Sequence, residues 1–193
     1  MNSASQNLFI ISGPSCAGED SVIEGLRSRF SIERVITTRT RDMRPGESQG
    51  HPYYFITNEE FEAGIARGDF IEYTRQYDNK LSGVTKQELS RVQALTDTIG
   101  IWKIEWQGVQ KAKELFPGIP AILVAVHDLE TLRRRMIKRD NPTPEFVAER
   151  MAYTEEWMKH TNLYDHIIWN DDGKLHESID DAERYIRAHS TLI

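Results

Sequence analysis

The sequence predicts an α/β fold, with a parallel sheet core flanked by helices on both faces. Its 193 residues are 39% hydrophobic and 28% charged, which fits one globular domain with a sizeable core. Short apolar runs typical of buried strands alternate with stretches whose apolar residues recur at helical spacing. This alternation favours parallel strands, because each helix carries the chain back across the sheet.

Each element follows from its local pattern. The run at Leu8–Ser12 is continuously apolar and ends in a turn rich in glycine and proline, as buried strands do. In the helix that follows, Val22, Ile23 and Leu26 form one apolar face. The other predicted strands are Arg34–Thr38, Tyr53–Ile56, Phe70–Tyr77, Thr98–Glu105, Ile119–Val126 and His166–Trp169. The predicted helices are Glu19–Phe30, Asn58–Arg67, Lys86–Leu95, Val109–Phe116, Leu129–Arg139, Glu145–His160 and Leu175–His189.

Cap and turn residues divide these elements. Asn58 is predicted to cap its helix, since its side chain can accept a hydrogen bond from a free N–H group of the first turn. Asp78–Gly83 is predicted to be a turn, and Asn141–Pro144 a break between two helices. Strands dominate residues 34–84, so this stretch is predicted to be a β-rich insert in the core.

Composition and charge disfavour several classes of protein. The longest uncharged apolar stretch, Ile119–Val126, is far shorter than the ~20 residues of a membrane-spanning helix. No secretory signal is expected, because the first residues lack a basic region and a long apolar run. The single cysteine, Cys16, excludes a disulfide framework within the chain. The net charge of −6 disfavours nucleic-acid and anionic-membrane partners, and a cytoplasmic location is expected.

The segment GPSCAGED at residues 13–20 has the spacing of a phosphate-binding loop between a strand and a helix. Glu19 stands where that motif has its lysine, and Asp20 where it has the hydroxyl that binds Mg²⁺. A carboxylate ~4 Å from a phosphate opposes binding by ~4 kcal/mol at an effective dielectric constant of 20. The loop is therefore either altered but functional or vestigial, with the two acids stabilising the helix N-terminus. Its candidate phosphate-binding residues are Gly13, Pro14, Ser15, Cys16, Ala17, Gly18, Glu19 and Asp20.

A second segment carries a resemblance to the guanylate kinase family. The sequence TTRTRDMRPGESQGHPYYF at residues 37–55 follows the family pattern S-x-T-T-R-x-x-R-x-G-E-x-x-G-x-x-Y-x-F, and the similarity extends from Leu8 to about Ile186. The resemblance implies a P-loop nucleoside monophosphate kinase fold. Its core would comprise residues 1–33 and 85–193, with a helical lid at about 137–150 and a GMP-binding subdomain at 34–84. It also implies phosphoryl transfer from ATP to GMP with Mg²⁺ as cofactor.

The resemblance assigns residues to the GMP site. Arginine forks and hydroxyl groups suit a phosphate, and a carboxylate suits the N1–H and N2–H donors of guanine. A solvated basic loop is the alternative reading of the arginines. The implied GMP-binding residues are Thr37, Arg41, Arg44, Glu47, Tyr53, Glu72 and Ser82.

Three departures from the family pattern lie in this region. Arg39 stands where the family has a threonine, and Val84 where it has a hydroxyl that contacts the base. The phosphate-binding tyrosine of the family becomes Ser82 or Leu81. The strictness of guanine specificity is therefore open.

A fourth departure is an inversion of charge. The family's D-x-D-x-Q-G strand end reads KIEWQG here, so Lys103 replaces an aspartate. Because this strand lies near the phosphate loop in such folds, we predict a charge exchange that places the Lys103 ammonium within ion-pair reach of Glu19 or Asp20. A coincidental surface lysine is the alternative. Glu105 keeps the second acid of the motif, and with Asp20 it forms the predicted metal site.

The segment at residues 132–151 resembles the family's lid. Arg135, Arg139 and Arg150 match its arginines, and the first two lie four residues apart on one helix. Together with Lys103 they are the predicted catalytic residues, since phosphoryl transfer needs cations on the charged oxygens. Asn170 and Asp171 match residues near the adenine end of ATP.

Three functions are compatible with these patterns. The first is a guanylate kinase, which the lid arginines favour because a pure binding module has no need of them. The second is a catalytically impaired binding module or GMP-binding pseudokinase, which Glu19 favours. The third is a kinase of another phosphorylated small molecule, since a fold does not fix a function. Both a monomer and a homodimer are compatible with the sequence.

Overall fold

The computed structural model describes residues 7–75, 79–140 and 142–192 and contains two sheets. The strands are β1 (Leu8–Ser12), β2 (Ile32–Val35), β3 (Thr38–Arg39), β4 (Ser48–Gln49), β5 (Pro52–Phe55), β6 (Phe70–Arg75), β7 (Leu81–Thr85), β8 (Ile99–Trp102), β9 (Ala121–Ala125) and β10 (His166–Trp169). The helices are α1 (Glu19–Leu26), α2 (Asn58–Arg67), α3 (Lys86–Gln93), α4 (Trp106–Leu115), α5 (Leu129–Asp140), α6 (Pro144–Met158) and α7 (Leu175–His189), with a short 3₁₀ helix at Thr161–Leu163.

The first sheet is parallel and has the strand order β10-β9-β1-β8-β2. Alternate residues of β1 enter different cores: Phe9 and Ile11 pack with α1 and α7, whereas Leu8 and Ile10 pack on the side of α3 and α4. All four side chains are at most 2% exposed. Helices on both faces explain why this strand is continuously apolar. Burying each such side chain contributes about 1.5–3 kcal/mol to stability.

The second sheet is mixed, with the order β4-β5-β3-β7-β6. β7 pairs antiparallel with both β3 and β6, and β3 pairs parallel with β5. Helix α2 covers part of this sheet, where Phe61 stacks on Phe70 with ring centroids 4.0 Å apart. The chain passes from the first sheet to the second between Val35 and Thr38 and returns after Thr85.

Two local predictions are wrong. Residues 81–83 of the predicted turn belong to β7, because pairing with a strand on each side satisfies their backbone groups and buries Leu81. Tyr77 and Asp78 lie outside the described residues. Thr57, not Asn58, caps α2: its hydroxyl accepts from the Glu60 N–H, and the Glu60 carboxylate accepts from the Thr57 N–H. This reciprocal pair satisfies two helix-end donors.

The predicted lid, at about 137–150, spans the end of α5 and the first half of α6. Thr143 caps α6 and Pro144 opens it, whereas Asn141 lies outside the described residues. Within the described part of the chain, no helix is both long enough and apolar enough to cross a membrane.

Candidate functional site

A cleft of about 800 Å³ opens where the two sheets and the α5–α6 pair meet. It lies at the carboxyl ends of the parallel strands, where α/β folds commonly bind ligands. The cleft is lined by most of the predicted site residues: Gly13, Ser15, Cys16, Gly18, Glu19, Asp20, Thr37, Arg41, Arg44, Tyr53, Glu72, Ser82, Lys103, Glu105, Arg135, Arg139, Arg150, Asn170 and Asp171. Pro14, Ala17 and Glu47 are not among its lining residues.

The loop between β1 and α1 is shaped by close backbone packing. A Cβ on Gly13 would lie 2.5 Å from the carbonyl oxygen of Val124. Gly18 has a φ of 102°, and a Cβ there would collide with the side chain of Asn170. The loop therefore requires both glycines. Cys16 has a φ of 69°, a left-handed conformation that few residues other than glycine adopt.

Glu19 folds back over its own loop. Its carboxylate accepts a hydrogen bond from the Gly18 N–H at 3.1 Å, and its side chain is only 11% exposed. Burial raises the pKa of Glu19, although the charge of Lys103 and hydrogen bonds from loop N–H groups oppose that effect. A loop N–H group suited to a phosphate oxygen thus binds a carboxylate of the same chain.

The predicted contact between Lys103 and the loop acids is confirmed. Lys103 follows β8, and its Nζ lies 2.6 Å from Asp20 Oδ2 and 3.7 Å from Glu19 Oε1. Burial alone would lower the pKa of Lys103, but the two carboxylates outweigh it and raise that pKa. Arg34 reaches Asp20 Oδ1 at 3.1 Å, so Asp20 is paired with two cations. The loop has gained acids, and the neighbouring strand end has gained the cation that balances them.

Asp20 and Glu105 are the two carboxylates predicted to bind a metal ion, and both line the cleft. Among the described residues, no group of three or more His, Cys, Asp or Glu side chains is placed to hold a metal ion by itself. In kinases, Mg²⁺ usually binds one or two carboxylates and takes its other ligands from phosphates and water. Both residues line the cleft and Asp20 is 61% exposed, so this donor set fits a Mg²⁺ ion that arrives with a nucleotide.

The second sheet brings a cluster of cations to the other end of the cleft. Both terminal nitrogens of Arg41 donate to the carboxylate of Glu47, at 2.6 and 2.7 Å. The backbone N–H of Arg44 donates to the same carboxylate at 2.8 Å. These bonds, the Arg41 fork first, lower the pKa of Glu47 to about 2. Glu47 therefore holds the guanidinium of Arg41 in a fixed orientation, although Glu47 itself does not line the cleft.

Glu72 lies on β6 between this cluster and α4. It is 6% exposed, and its Oε2 lies 3.3 Å from the position that a Cβ on Gly108 would occupy, so the glycine leaves room for the carboxyl group. Burial raises the pKa of Glu72 to about 8, assisted by the charge of Glu105 and opposed by the Val84 N–H. At neutral pH this carboxyl group is mostly protonated in the unliganded protein.

Arg135 is held in place by several acceptors. Its guanidinium donates to Asp172 at 2.9 Å and to the carbonyl oxygen of Asn170 at 2.9 Å. The other terminal nitrogen, 3.3 Å from the Cys16 carbonyl oxygen, ties Arg135 to the phosphate loop. The Asn170 side chain donates to the Ala17 carbonyl oxygen at 2.7 Å. Arg135 and Asn170 thus join the loop to the end of β10.

The remaining predicted residues on this side have different surroundings. Asp171 accepts from the His127 N–H at 3.0 Å, and the hydrogen bonds with His127 lower the pKa of Asp171. Arg139 and Arg150 line the cleft from α5 and α6, and the guanidinium of Arg150 lies 5.4 Å from the ring centre of Phe146. Beside them, a small apolar cluster joins the two helices to Cys16 of the loop; its buried members are Met136, Val147 and Met151.

Sequence reasoning missed several residues of the cleft, above all Tyr153. Its hydroxyl donates to Glu105 at 2.7 Å and lies 3.1 Å from Gln107 Oε1, which ties α6 to the start of α4. Nothing in the sequence signals this contact, because Glu105 and Gln107 lie 48 and 46 positions before Tyr153. Thr74 and Arg39 also line the cleft, on strands whose register no local pattern reveals.

Comparisons with known proteins agree with this geometry. The guanylate kinase family model matches residues 5–189. The guanylate kinase of Dechloromonas aromatica is 32% identical over 183 residues, covering 94% of this chain and 89% of that protein. The guanylate kinase of Sodalis glossinidius is 36% identical over 184 residues, covering 94% and 87% respectively.

A solved structure supports the fold independently. The crystal structure of guanylate kinase from Anaplasma phagocytophilum matches with a TM-score of 0.74 over 96% of this chain and 87% of that chain. At 22% identity, this likeness confirms the predicted fold class. Because the family model spans nearly the whole chain and relatives align over most of their length, the chain belongs to the guanylate kinase family.

Proposed function

We propose that this protein transfers the γ-phosphoryl group of ATP to GMP, yielding ADP and GDP, with Mg²⁺ as cofactor. The observation that carries the proposal is that a phosphate loop and an arginine cluster line the same cleft. Such a cleft can hold a donor and an acceptor phosphate facing each other. Phosphoryl transfer needs little more from a protein than this positioning and the stabilisation of charge.

The arginine cluster suits the phosphate of GMP. Arg41 is oriented by Glu47, and the hydroxyl groups of Tyr53 and Thr37 line the same part of the cleft. Glu72 suits the guanine base, because an ionised carboxylate can accept from both N1–H and N2–H. Adenine lacks this pair of donors, so we assign base selection to Glu72.

We expect Glu47→Gln to raise the KM for GMP about tenfold, since a charged hydrogen-bond partner contributes roughly 1.5–3 kcal/mol. Arg41 would lose its fixed orientation while the donor end stays intact, so kcat should change little. Steady-state kinetics with varied GMP measure both constants. Glu62→Gln is the matched control, because Glu62 pairs with Arg75 at 3.3 Å outside the cleft lining. An unchanged KM for GMP in Glu47→Gln would contradict this role.

At the donor end, Lys103 supplies the cation that the loop lacks. Its ammonium already lies at the loop, held by Asp20 and Glu19. When ATP binds, the phosphate oxygens take the Gly18 N–H from Glu19 and share Lys103 with the acids. Asp20 and Glu105 would hold Mg²⁺, which would supply neutralisation of charge on the phosphates.

The α5–α6 arginines complete the proposal. Arg139 and Arg150 line the cleft and stabilise negative charge on the transferred group. Arg135 acts as a positioning residue, because its fork is engaged by Asp172 and by loop carbonyl oxygens. Asn170 and Asp171 border the end of the cleft that we assign to adenine.

The test is ADP formation by the purified protein with ATP and Mg²⁺. We expect turnover with GMP of about 1–100 s⁻¹, the usual kinase range, and little with AMP or with no acceptor. GMP binding without turnover would instead support the impaired binding module. The cytoplasmic location, the absence of nucleic-acid and membrane partners, and the oligomeric state stay predictions from the sequence.

A further inference from the structure

Arg39 is the cation of the cleft that nothing above assigns. It lies on β3, lines the cleft, and stacks its guanidinium over the Tyr53 ring at 4.1 Å from the ring centre. Its Nε is buried and has no hydrogen-bond partner among the described residues. A buried N–H donor without a partner needs an explanation, since such groups are nearly always satisfied.

The neighbouring strands leave space in front of Arg39. In the β3–β7 pair Arg39 lies directly opposite Ser82, and in the β6–β7 pair Ser82 lies opposite Thr74. Directly opposed residues project from the same face of a sheet. All three line the cleft, and the two neighbours are small hydroxyl residues. The long arginine side chain therefore has room to extend toward the ligand.

Arg41, which also lies near the Tyr53 ring, has an unpartnered buried N–H donor of the same kind. Its guanidinium lies 5.4 Å from the Tyr53 ring centre, and its Nε is also buried without a partner among the described residues. Two arginines that flank one tyrosine thus each keep an unused N–H donor. Unlike Arg41, whose fork is engaged by Glu47, Arg39 forms no ion pair with a carboxylate in the described part of the chain. Its charge is available to an anion.

We propose that Arg39 is a further binding residue for the acceptor phosphate, acting with Arg41 and Arg44 as a third guanidinium. The anion is the phosphomonoester of the acceptor nucleotide, and this inference rests on the proposed function. A planar guanidinium binds two phosphate oxygens at once and stays charged at every physiological pH. Stacking on Tyr53 holds the fork in position before the ligand arrives.

The experiment compares GMP with guanosine, which has the same base and sugar but no phosphate. Dissociation constants are measured by calorimetry for GMP and by competition against GMP for guanosine. We expect Arg39→Met to weaken GMP binding at least tenfold and to leave guanosine binding unchanged. Arg39→Lys, which keeps the charge but loses the fork, should fall between Arg39→Met and the unmodified protein.

A matched control distinguishes a loss of phosphate binding from a general disturbance of the second sheet. Arg75 lies on β6 of the same sheet, pairs with Glu62 and is absent from the cleft lining. Arg75→Met should leave both affinities unchanged. The inference is overturned if Arg39→Met binds GMP as tightly as the unmodified protein, or if it loses GMP and guanosine affinity by the same factor. If the unmodified protein fails to bind GMP at all, the proposed function itself is wrong, and this inference is wrong with it.

Discussion

Lys103→Met is expected to lower GMP-dependent turnover by about 100- to 1000-fold, the effect of removing one well-placed charge-stabilising group from an active site. The lysine pairs with both loop acids, at 2.6 Å from Asp20 and 3.7 Å from Glu19. Its loss also leaves the buried Glu19 carboxylate without its partner, which should lower the free energy of unfolding by about 3–5 kcal/mol. Lys103→Arg keeps the charge and should fold, and its turnover should lie between those of Lys103→Met and the unmodified protein.

The matched control is Lys113→Met. Lys113 pairs with Asp165 at 2.7 Å and is 26% exposed, close to the 21% of Lys103, but it lies on α4 and is not among the cleft-lining residues. We expect its turnover to stay within about twofold of the unmodified protein, since this ion pair lies outside the cleft and such pairs contribute little. If Lys103→Met melts at a lower temperature but turns over normally, the lysine is only structural.

The affinity for GMP is expected to rise with pH, about tenfold per unit from pH 6.5 to 7.5, and to level off near pH 8. The cause is Glu72, whose pKa burial raises to about 8. The free protein carries a neutral carboxyl group, whereas guanine needs the ionised one, so binding releases a proton. The GMP phosphate, with a second pKa near ~6, contributes little to this dependence above pH 7.

Calorimetry in buffers of different ionisation enthalpy measures the released proton. In Glu72→Gln we expect weaker GMP binding and no pH dependence over this range. The free energy of unfolding of the unliganded protein should show the opposite trend with pH. Because folding raises the pKa of Glu72, the contribution of Glu72 to stability is complete below pH 4.5 and is lost as the pH rises to about 8. GMP affinity that does not change with pH would contradict the assignment of Glu72 to the base.

Strong local patterns predicted much of the fold. Helix α2, strand β10 and helix α7 begin and end at the predicted residues, because apolar periodicity and turn residues define them locally. Residues 81–83 of strand β7 fall in the predicted turn, since Ser82 and Gly83 are typical turn residues. Only the pairing of β7 with β3, some 40 positions earlier, makes it a strand. This pairing depends on the tertiary structure, so no local sequence pattern predicts it.

The candidate site divides in the same way. The contact of Lys103 with the loop acids was predictable, because opposite changes of charge fell on two segments that the family pattern brings together. The hydrogen bond from the Gly18 N–H to Glu19 was not, since it depends on a side-chain rotamer. The availability of Arg39 also needed the structure, because only strand register places it opposite Ser82.

We infer that the loop with Glu19 functions because Lys103 replaces the missing lysine. The initial rate of GDP formation from ATP and GMP, measured for the unmodified protein and for the double variant Glu19→Lys/Lys103→Asp, distinguishes a functional loop from a vestigial one. The double variant exchanges the two charges while keeping their sum. We expect both proteins to be active, with the unmodified protein at about 1–100 s⁻¹, and each single variant to be strongly impaired. An inactive unmodified protein beside an active double variant would contradict the account and show that the loop is vestigial.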